Sequence, residues 1–453
     1  MNNELNKRYG LMTAIAMVVG IVIGSGVFFK AGKILSITGG NLSLGILAWV
    51  IGGIIMVICA YVFSIMATRN EKVNGIVDYA EQMVSSKYGY FVGWILSSIY
   101  YPTLTSVLAW VSSMYLGHIV GYSPVSAEAI IFASFFLVVS FAINTLSPKL
   151  AGRFQVSTTI IKLIPLFAMA IIGTIMGLNS GMLVENFSHV VTEVESPSIA
   201  LFGAVVATAF AFEGWIIAIS INGEIKDAKK NLPKALIVGT FIVLGTYVLY
   251  YIGLSGSVLN EVLIEEGEAG SLLAFQNAFG TFGSAVLYFF VVISCLGTLN
   301  GLMLACARGF YINAHRNMGP KPKMFVQLDN VTNIPANSAI LALLVSMVWL
   351  LFFYGSQLVE QPWFGAFSFD SSELPIITVY ALYLPIFVNF IRKNKDLSVF
   401  KRFIMPILAI IGSLFMIIAS IYSHGIDVLF YLIMFVVIVI VGAILNIVNE
   451  KKR

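Results

Sequence analysis

The chain of 453 residues is 59% hydrophobic and only 11% charged, with a formal net charge of +4 at pH 7. Its mean hydropathy is +0.93. Soluble domains carry about 25% charged residues, so the composition excludes a soluble globular protein and indicates a membrane protein with many spans. The three cysteines, Cys59, Cys295 and Cys306, fall inside apolar stretches, which argues against a disulfide framework or a metal site. We expect a lipid bilayer as the environment, with no cofactor, no metal and no nucleic-acid partner.

Windowed hydropathy predicts twelve membrane spans along the chain. A run of about 20 apolar residues is long enough to cross the bilayer as a helix. The spans are predicted near residues 9–34, 42–68, 88–118, 128–147, 154–178, 198–222, 234–254, 282–313, 335–354, 373–391, 402–423 and 427–448. The predicted fold class is therefore an all-α polytopic membrane protein with 12 transmembrane helices.

The basic residues lie almost entirely on one side of these spans. If the N-terminus is placed inside, only Lys30 and Lys33 of the 26 lysines and arginines fall outside, and Lys162 lies within a span. Cytoplasmic loops of membrane proteins carry an excess of Lys and Arg. The distribution predicts a multi-pass protein of the plasma or inner cell membrane with both termini in the cytoplasm, and it supports an even number of spans.

A glycine-rich stretch interrupts the first span. It reads Gly20-Ile21-Val22-Ile23-Gly24-Ser25-Gly26-Val27-Phe28. Glycine is a poor helix former, and in lipid an unwound backbone is tolerated only where it is buried in protein or lines a wet cavity. The stretch therefore predicts two half-helices with free backbone N–H and C=O groups between them. The alternative is that Gly20-x-x-x-Gly24 is a surface for helix packing.

The sixth span shows the same feature. It reads Phe210-Ala211-Phe212-Glu213-Gly214-Trp215 near its midpoint, with small residues, an acid and a glycine together. Interrupted segments in corresponding positions of two halves indicate the central site of a transporter. A unit of five spans that is duplicated in tandem inserts its second copy upside down. We therefore predict a 5+5 inverted repeat with discontinuous spans 1 and 6, in which residues 1–178 and 198–391 are the repeats and 402–453 hold two further spans and a basic tail.

Three stretches resemble signatures of a known group of proteins. The first-span signature of the amino acid–polyamine–organocation superfamily resembles Ile23-Gly24-Ser25-Gly26-Val27-Phe28. The sixth span and following loop of its L-type amino acid transporter family are similar to Phe210–Trp215, Asn222-Gly223-Glu224-Ile225-Lys226 and Asn231-Leu232-Pro233. The eighth span of that family is similar to Ser294-Cys295-Leu296-Gly297-Thr298-Leu299-Asn300-Gly301 and Ala307-Arg308-Gly309-Phe310-Tyr311.

This resemblance covers most of the first ten spans and is closest to bacterial serine/threonine- or alanine-type amino acid exchangers. It implies a sodium-independent antiporter that exchanges small neutral L-amino acids by alternating access. Two departures from the family are visible. Glu213 stands where many animal members carry a small residue, and the loop Gly121-Tyr122-Ser123-Pro124-Val125 lacks the cysteine that binds their heavy-chain subunit. We therefore expect no covalent heavy-chain subunit.

An amino acid substrate needs one partner for its carboxylate and another for its ammonium. The N-terminus of a half-helix suits the carboxylate, and the free carbonyls at a half-helix C-terminus suit the ammonium. We expect the carboxylate to bind the N–H groups around Ser25, Gly26 and Val27. We expect the ammonium to bind carbonyls near Ile23, Phe210 and Ala211, as the resemblance also implies.

Two side chains at the sixth-span break have candidate roles. Phe210 resembles the family's aromatic gate over bound substrate, and the alternative is ordinary packing among the 34 phenylalanines. Glu213 is an acid inside a span, where ionisable groups are costly and are functional by default. Burial would keep it neutral, for proton coupling or pocket shape. Alternatively, the central cavity hydrates Glu213 and its carboxyl contributes little.

Lys162 is the one lysine or arginine that we assign to neither side of the membrane, and it has no acidic residue four positions away on either side. By the resemblance, its partners lie at the first-span break, including Gly24, and at Tyr247 and Ser294, where sodium-coupled relatives hold a cation. The alternative is that Lys162 reaches the membrane interface along its own stem. Its depth of roughly 12 Å in the span, at the 1.5 Å helical rise, disfavours that alternative.

The remaining polar residues within spans allow two interpretations. Either they line the central cavity or they form hydrogen bonds between helices. They are Tyr100, Tyr101, Thr103, Thr105 and Ser106 in span 3, with Tyr380 and Tyr383 in span 10. We interpret His118, His189, His315 and His424, which lie at span ends and in loops, as structural.

Three other functions are compared with amino acid exchange. A membrane enzyme would need a convergent catalytic or metal-binding constellation, and the sequence shows no such motif, so we predict that the protein is not an enzyme. An amino acid-sensing transceptor usually carries a long soluble extension, whereas both tails are short here. Proton-coupled or sodium-coupled uptake is the main rival to exchange.

Overall fold

The computed structural model describes residue 7 and residues 9–69, 75–220 and 222–451. Within them, eleven helices are long and apolar enough to cross a membrane, and a bent pair of helices makes a twelfth span. The first and sixth spans are each divided, as Leu11–Val22 (1a) with Gly26–Ile37 (1b) and Pro197–Phe212 (6a) with Trp215–Ser220 (6b). The other spans, numbered 2–5 and 7–12, are Leu42–Arg69, Ser86–Val120, Ala127–Leu146, Pro148–Ser180, Ala228–Ser255, Glu268–His315, Ala336–Leu358, Leu374–Lys393, Phe400–His424 and Asp427–Glu450. The predicted fold class is confirmed.

Short helices connect or cap the spans. The α-helical ones are Ile76–Met83, Met182–Ser188, Asn260–Glu265 and Pro322–Phe325. Two single turns of 3₁₀-helix are Asn222–Glu224 and Gly365–Phe367. We call the end of the bundle at which span 1 begins the basic face, since most lysines and arginines lie there, and the other end the opposite face.

Span 5 extends beyond its predicted start for an identifiable reason. It begins at Pro148, six residues early, because proline is favoured at the first helical position while Lys149 and Arg153 lower the local hydropathy. Hydropathy detects the apolar part of a helix and misses such a polar first turn. At span 8, a preceding helix that starts at Glu268 joins the span at a kink, Gly280, whose φ is 74°, and the apolar span Val286–His315 starts close to its predicted residue 282.

The central position of span 6 follows from its burial. In its apolar window 83% of the residues are buried inside the protein, against 17% for span 12. Span 12 therefore presents most of its surface to lipid, while span 6 is enclosed by other spans. Half-helix 6a packs on 1b, and 6b packs on 1a, so the two broken spans run antiparallel side by side. An inverted repeat requires this arrangement, and the division at 1–178, 198–391 and 402–453 stays a prediction.

Contacts between distant segments close the basic face. The Tyr9 N–H donates to the Glu224 carbonyl at 2.9 Å and the Lys226 N–H donates to the Tyr9 carbonyl at 2.8 Å, so the start of the chain pairs with the segment after span 6. The Glu224 carboxylate forms an ion pair with Arg308 of span 8, and both side chains are only 1% exposed. Span 1, the segment after span 6 and span 8 are thereby held together.

The buried ion pair gives a stability prediction. Glu224→Gln leaves the Arg308 charge buried without its counter-ion, which costs about 3–5 kcal/mol. Asp396→Asn is the matched control, because it breaks an Arg69–Asp396 pair whose side chains are 36% and 67% exposed. Exposed pairs contribute about 0–1 kcal/mol. We expect thermal denaturation in detergent to show a large fall in midpoint for Glu224→Gln alone, and equal falls in the two variants would contradict this account.

Candidate substrate and cation site

The break in span 1 is a short non-helical segment at Ile23–Ser25. The two half-helices are bent by 40° there. A Cβ on Gly26 would lie 2.6 Å from the Ala211 Cα, so only glycine lets the first break touch the second. A Cβ on Gly20 would lie 1.9 Å from Thr159 Oγ1. Both hypotheses for this stretch therefore hold, since Gly20 packs on span 5 and the residues after it form the opening.

The break in span 6 consists of Glu213 and Gly214. Glu213 has extended backbone angles, and Gly214 has a φ of 101°, which favours glycine. The chain then resumes as a helix at Trp215. The helix thus stops in mid-membrane, and its last carbonyls have no donor within the helix.

A small cavity of about 20 Å³ lies where the two breaks meet. Its lining residues come from spans 1, 3, 6 and 8 and are Ile21, Val22, Gly24, Ser25, Gly26, Leu104, Leu108, Phe210, Glu213, Gly214, Thr298 and Leu302. The Ser25 hydroxyl is buried and has no hydrogen-bond partner among the residues that the structure describes. Buried polar groups are almost always paired, so this hydroxyl is available to a ligand in the cavity.

The predicted carboxylate partners lie at the N-terminus of half-helix 1b. Ser25 precedes the helix and Gly26 is its first residue. The first N–H groups of a helix have no intrahelical acceptor and carry a partial positive charge. The N–H groups of Gly26 and Val27 therefore suit a carboxylate in the cavity. Val27 itself is fully buried and its side chain does not line the cavity.

The predicted ammonium partners differ in availability. The Ile23 carbonyl accepts from Lys162 at 2.5 Å and from Thr298 at 3.1 Å. The Ala211 carbonyl accepts from the Tyr247 hydroxyl at 2.9 Å. Phe210 lies in the last turn of half-helix 6a, where carbonyls lack intrahelical donors. A substrate ammonium would compete for the first two carbonyls, so the last turn of 6a is its most available partner.

Lys162 of span 5 is fully buried and reaches the break of span 1. Its ammonium donates to the carbonyls of Gly20 at 2.7 Å and Ile23 at 2.5 Å. On span 8 it donates to the Ser294 carbonyl at 3.0 Å and to Thr298 Oγ1 at 3.1 Å. The ammonium therefore lies among four oxygen acceptors from spans 1 and 8 instead of extending toward the membrane interface.

The other predicted residues of this region also contact the break. The Ser294 hydroxyl donates to the Gly24 carbonyl at 3.1 Å. The Tyr247 hydroxyl lies within hydrogen-bond distance of the Val22 carbonyl, at 3.0 Å, and of Ala211. Tyr247 thus joins the two breaks to each other, whereas the partners of Lys162 are on spans 1 and 8.

The Glu213 carboxyl is buried and accepts a hydrogen bond from a residue of span 3. The Tyr100 hydroxyl donates to it, and Tyr380 of span 10 supplies a second hydroxyl. Tyr100 ends a stretch of wider π-helix at Leu96–Tyr100, a distortion that is frequent at functional sites. The span 3 polar residues either line the cavity or form hydrogen bonds between helices. Tyr100 does the second, because it bonds span 3 to span 6.

Phe210 lines the cavity and is 7% exposed. Lys30 Nζ lies 5.4 Å from the centre of its ring, close enough for a cation–π contact. Lys30 also forms a buried ion pair with Glu373, at the start of span 10. The ring therefore lies between the cavity and a charged cluster on the opposite face.

Sequence reasoning missed this charged cluster. Lys33 lies 3.4 Å and His424 Nε2 lies 3.1 Å from the Glu373 carboxylate. Burial alone would raise the pKa of Glu373, but the Lys30 ammonium, with His424 and Lys33, holds that pKa below its ordinary range. The available signal was that Lys30 and Lys33 are the only lysines or arginines predicted to lie outside. Thr298 was also missed, although it lies within the eighth-span motif.

These features define a class of protein: a multi-span membrane transporter with a central site between two broken helices. The sequence model of the amino acid permease family matches residues 9–445. The chain belongs to that family, which confirms the predicted superfamily, and as a member of a transporter family it is not an enzyme.

Individual relatives are similar along nearly the whole chain. The serine/threonine exchanger SteT of Bacillus subtilis is 29% identical over 424 residues, which cover 91% of each chain. The b(0,+)-type amino acid transporter 1 of Mus musculus is 25% identical, over 96% of this chain and 86% of its own. The crystal structure of MhsT in complex with L-phenylalanine has a TM-score of 0.63 at 14% identity, and the match covers 92% of this chain and all of that one. That last similarity shows the fold alone, while the family supports amino acid transport.

Proposed function

We propose that the protein is a sodium-independent antiporter that exchanges small neutral L-amino acids by alternating access. The observation that carries this proposal is the meeting of two broken spans around a small cavity with an unpaired hydroxyl, half-helix N–H groups and half-helix carbonyls. A zwitterion matches these groups at both ends. SteT, whose name states that it exchanges serine and threonine, supports exchange over uptake.

The carboxylate of the substrate binds the N–H groups of Gly26 and Val27 and the Ser25 hydroxyl. The ammonium binds carbonyls of the last turn of half-helix 6a, with the Phe210 carbonyl first. The rest of the lining is largely apolar, with Leu104, Leu108 and Leu302 among its members. No cation lines the cavity within the described residues, so an acidic side chain has no counter-ion there, and the Glu213 carboxyl is already bonded by the Tyr100 hydroxyl, which together favour a neutral side chain. The narrow space beside the leucines and Phe210 favours a small one.

Sodium independence rests on Lys162. Its ammonium occupies a position among carbonyl and hydroxyl oxygens at 2.5–3.1 Å, which are also the ligands that hard cations prefer. A tethered ammonium in that position makes a soluble cation unnecessary. It also links span 5 to the break of span 1, so that substrate binding at the break and movement of the half-helices are coupled.

Glu213 supports a second candidate function, proton-coupled uptake. Its carboxyl is buried beside the substrate cavity and is within reach of Tyr100. A buried carboxyl that gains and loses a proton in each cycle would drive uptake from a pH gradient. Alternatively, the Glu213–Tyr100 contact only shapes the end of the pocket. An inward-directed pH gradient that leaves uptake into empty vesicles unchanged favours the pocket role.

The orientation is also part of this proposal. The excess of lysines and arginines places the basic face in the cytoplasm, with both termini there and the protein in the cell membrane. The closed contacts at both faces, Arg308–Glu224 and Lys30–Glu373, are then the ones that must open in turn during transport.

The substrate class is tested with purified protein in liposomes preloaded with unlabelled L-serine. We expect external alanine, serine and threonine to compete with uptake of labelled serine, because only small neutral side chains fit beside Leu104 and Phe210. Arginine and glutamate are the controls, since they carry the same backbone charges and a charged side chain. Preferential competition by arginine would contradict the neutral specificity.

A further inference from the structure

A second cavity, which is not part of the substrate site, lies on the basic face. It is an open cleft of about 780 Å³ between the start of span 1, the start of span 5 and the segment after span 6. Four of its lining residues are cations from these three segments: Lys7, Lys149, Arg153 and Lys226. No acidic residue lines it within the described part of the chain. We call this cavity the basic pocket.

The charges around the basic pocket favour the binding of an anion. Lys149 and Arg153 are four residues apart, so they lie on the same face of span 5 and repel each other. Span 5 also begins at Pro148, so the positive end of a 33-residue helix lies in the pocket wall. Like charges drawn from separate segments are stable together when an anion lies between them.

The surroundings of the pocket indicate that this anion is attached to a lipid. Leu146 and Leu150 flank Lys149 and are 76% and 52% exposed, and Met12 near the start of span 1 is 79% exposed. These apolar side chains adjoin the cations at the level where spans 1 and 5 enter the membrane. A headgroup phosphate in the pocket would therefore have its acyl chains beside an apolar surface. Basic pockets between spans on the cytoplasmic side are known to bind such headgroups.

We propose that the basic pocket binds the phosphate of an anionic phospholipid from the adjoining leaflet. Lys149 and Arg153 contact the phosphate from span 5, and Lys7 and Lys226 contact it from the other two segments. The lipid thereby links the start of half-helix 1a, span 5 and the segment after span 6.

The position of the pocket gives this lipid a consequence for transport, which rests on the proposed function. A Cβ on Gly152 would lie 3.1 Å from the Tyr9 ring, so the start of the chain packs directly on span 5. Tyr9 is also paired through its backbone with Ile225. These segments must separate when the basic face opens. A lipid that bridges them stabilises the closed form of that face.

Lipid binding is tested without transport, so failure of this proposal is distinguishable from failure of the proposed function. Native mass spectrometry of the purified full chain measures retention of added phosphatidylglycerol against phosphatidylcholine. We expect the variant with both Lys149→Gln and Arg153→Gln to retain phosphatidylglycerol roughly tenfold less tightly than the wild type. The matched control carries Lys323→Gln and Lys395→Gln, which remove two exposed charges of the basic face outside the pocket.

Two outcomes would overturn the proposal. One is equal retention of phosphatidylglycerol by both double variants, which would indicate a general charge effect. The other is displacement of the bound lipid by equimolar inorganic phosphate, which would identify a site for free phosphate. Elution of each variant as a monodisperse peak establishes that it has folded, and unchanged retention of phosphatidylcholine supports the proposal.

Discussion

We expect Lys162→Ala to lower amino acid exchange by at least about tenfold while the protein still folds. The substitution removes the donor to the Gly20, Ile23 and Ser294 carbonyls. Thr298 Oγ1 also donates to the Gly20 and Ile23 carbonyls, but the loss of a charged donor shared by buried acceptors still costs about 1.5–3 kcal/mol, and 1.4 kcal/mol corresponds to about tenfold in an equilibrium. The break of span 1 would then lose its defined shape, and both substrate binding and the return of the carrier would suffer. Exchange rates in proteoliposomes at equal protein content measure the effect.

The control for this prediction is Lys323→Ala, which removes an exposed lysine of the basic face. It should exchange at the wild-type rate. Elution of detergent-purified Lys162→Ala as a monodisperse peak, as for the wild type, separates a transport defect from a folding defect. Near wild-type exchange by Lys162→Ala would contradict the coupling role. Wild-type exchange that rises with external sodium would contradict the claim that the lysine replaces a cation.

Phe210→Ala is expected to reduce exchange about tenfold, whereas Phe202→Ala should have little effect. Phe210 closes the cavity beneath Lys30, so its loss opens the substrate site to water on the opposite face. Phe202 is in the same half-helix but is 40% exposed and contacts Phe415 of span 11. The pair therefore compares the same chemical change at the cavity and away from it, with initial exchange rates as the measurement.

Equal exchange rates for the two phenylalanine variants, at matched amounts in the membrane, would indicate that Phe210 is an ordinary packing residue and not a gate. A loss confined to thermal stability would have the same meaning. A fall in the maximal rate with an altered apparent affinity for substrate supports the gate, because a gate acts on occlusion of the bound molecule.

The fold was predictable because membrane spans are coded locally. Apolar runs and the positions of the basic residues define the spans, and glycine with poor helix formers marks both breaks. The start of span 5 was placed less well, because its first turn contains the polar residue Lys149. A proline at the first helical position, as at Pro148, is the signal that hydropathy does not include.

The site was predictable only in part, because its contacts join residues distant in sequence. A buried lysine without a local acid indicated that Lys162 needs acceptors from another span, and the break of span 1 supplies them. Its partner on span 8 is the Ser294 carbonyl together with Thr298, while the Ser294 hydroxyl bonds Gly24. The sequence alone does not indicate whether a serine forms a hydrogen bond through its side-chain hydroxyl or through its backbone carbonyl.

The Lys30–Glu373 cluster illustrates the same limit. Glu373 lies 343 residues from Lys30 in the chain, and each residue alone has the pattern of a solvated span end. Only the folded bundle brings spans 1, 10 and 11 together there. His424, which we interpreted as structural, bonds Glu373 in this cluster, and that contact is compatible with the interpretation.

The proposal of exchange is tested most directly by one comparison. Labelled L-serine uptake is measured into liposomes that contain the purified protein and are either empty or preloaded with unlabelled serine. The account predicts rapid uptake into preloaded vesicles and little uptake into empty ones, in the absence of sodium and of a pH gradient, because the carrier returns only with a substrate bound. Equal uptake into empty and preloaded vesicles would contradict it.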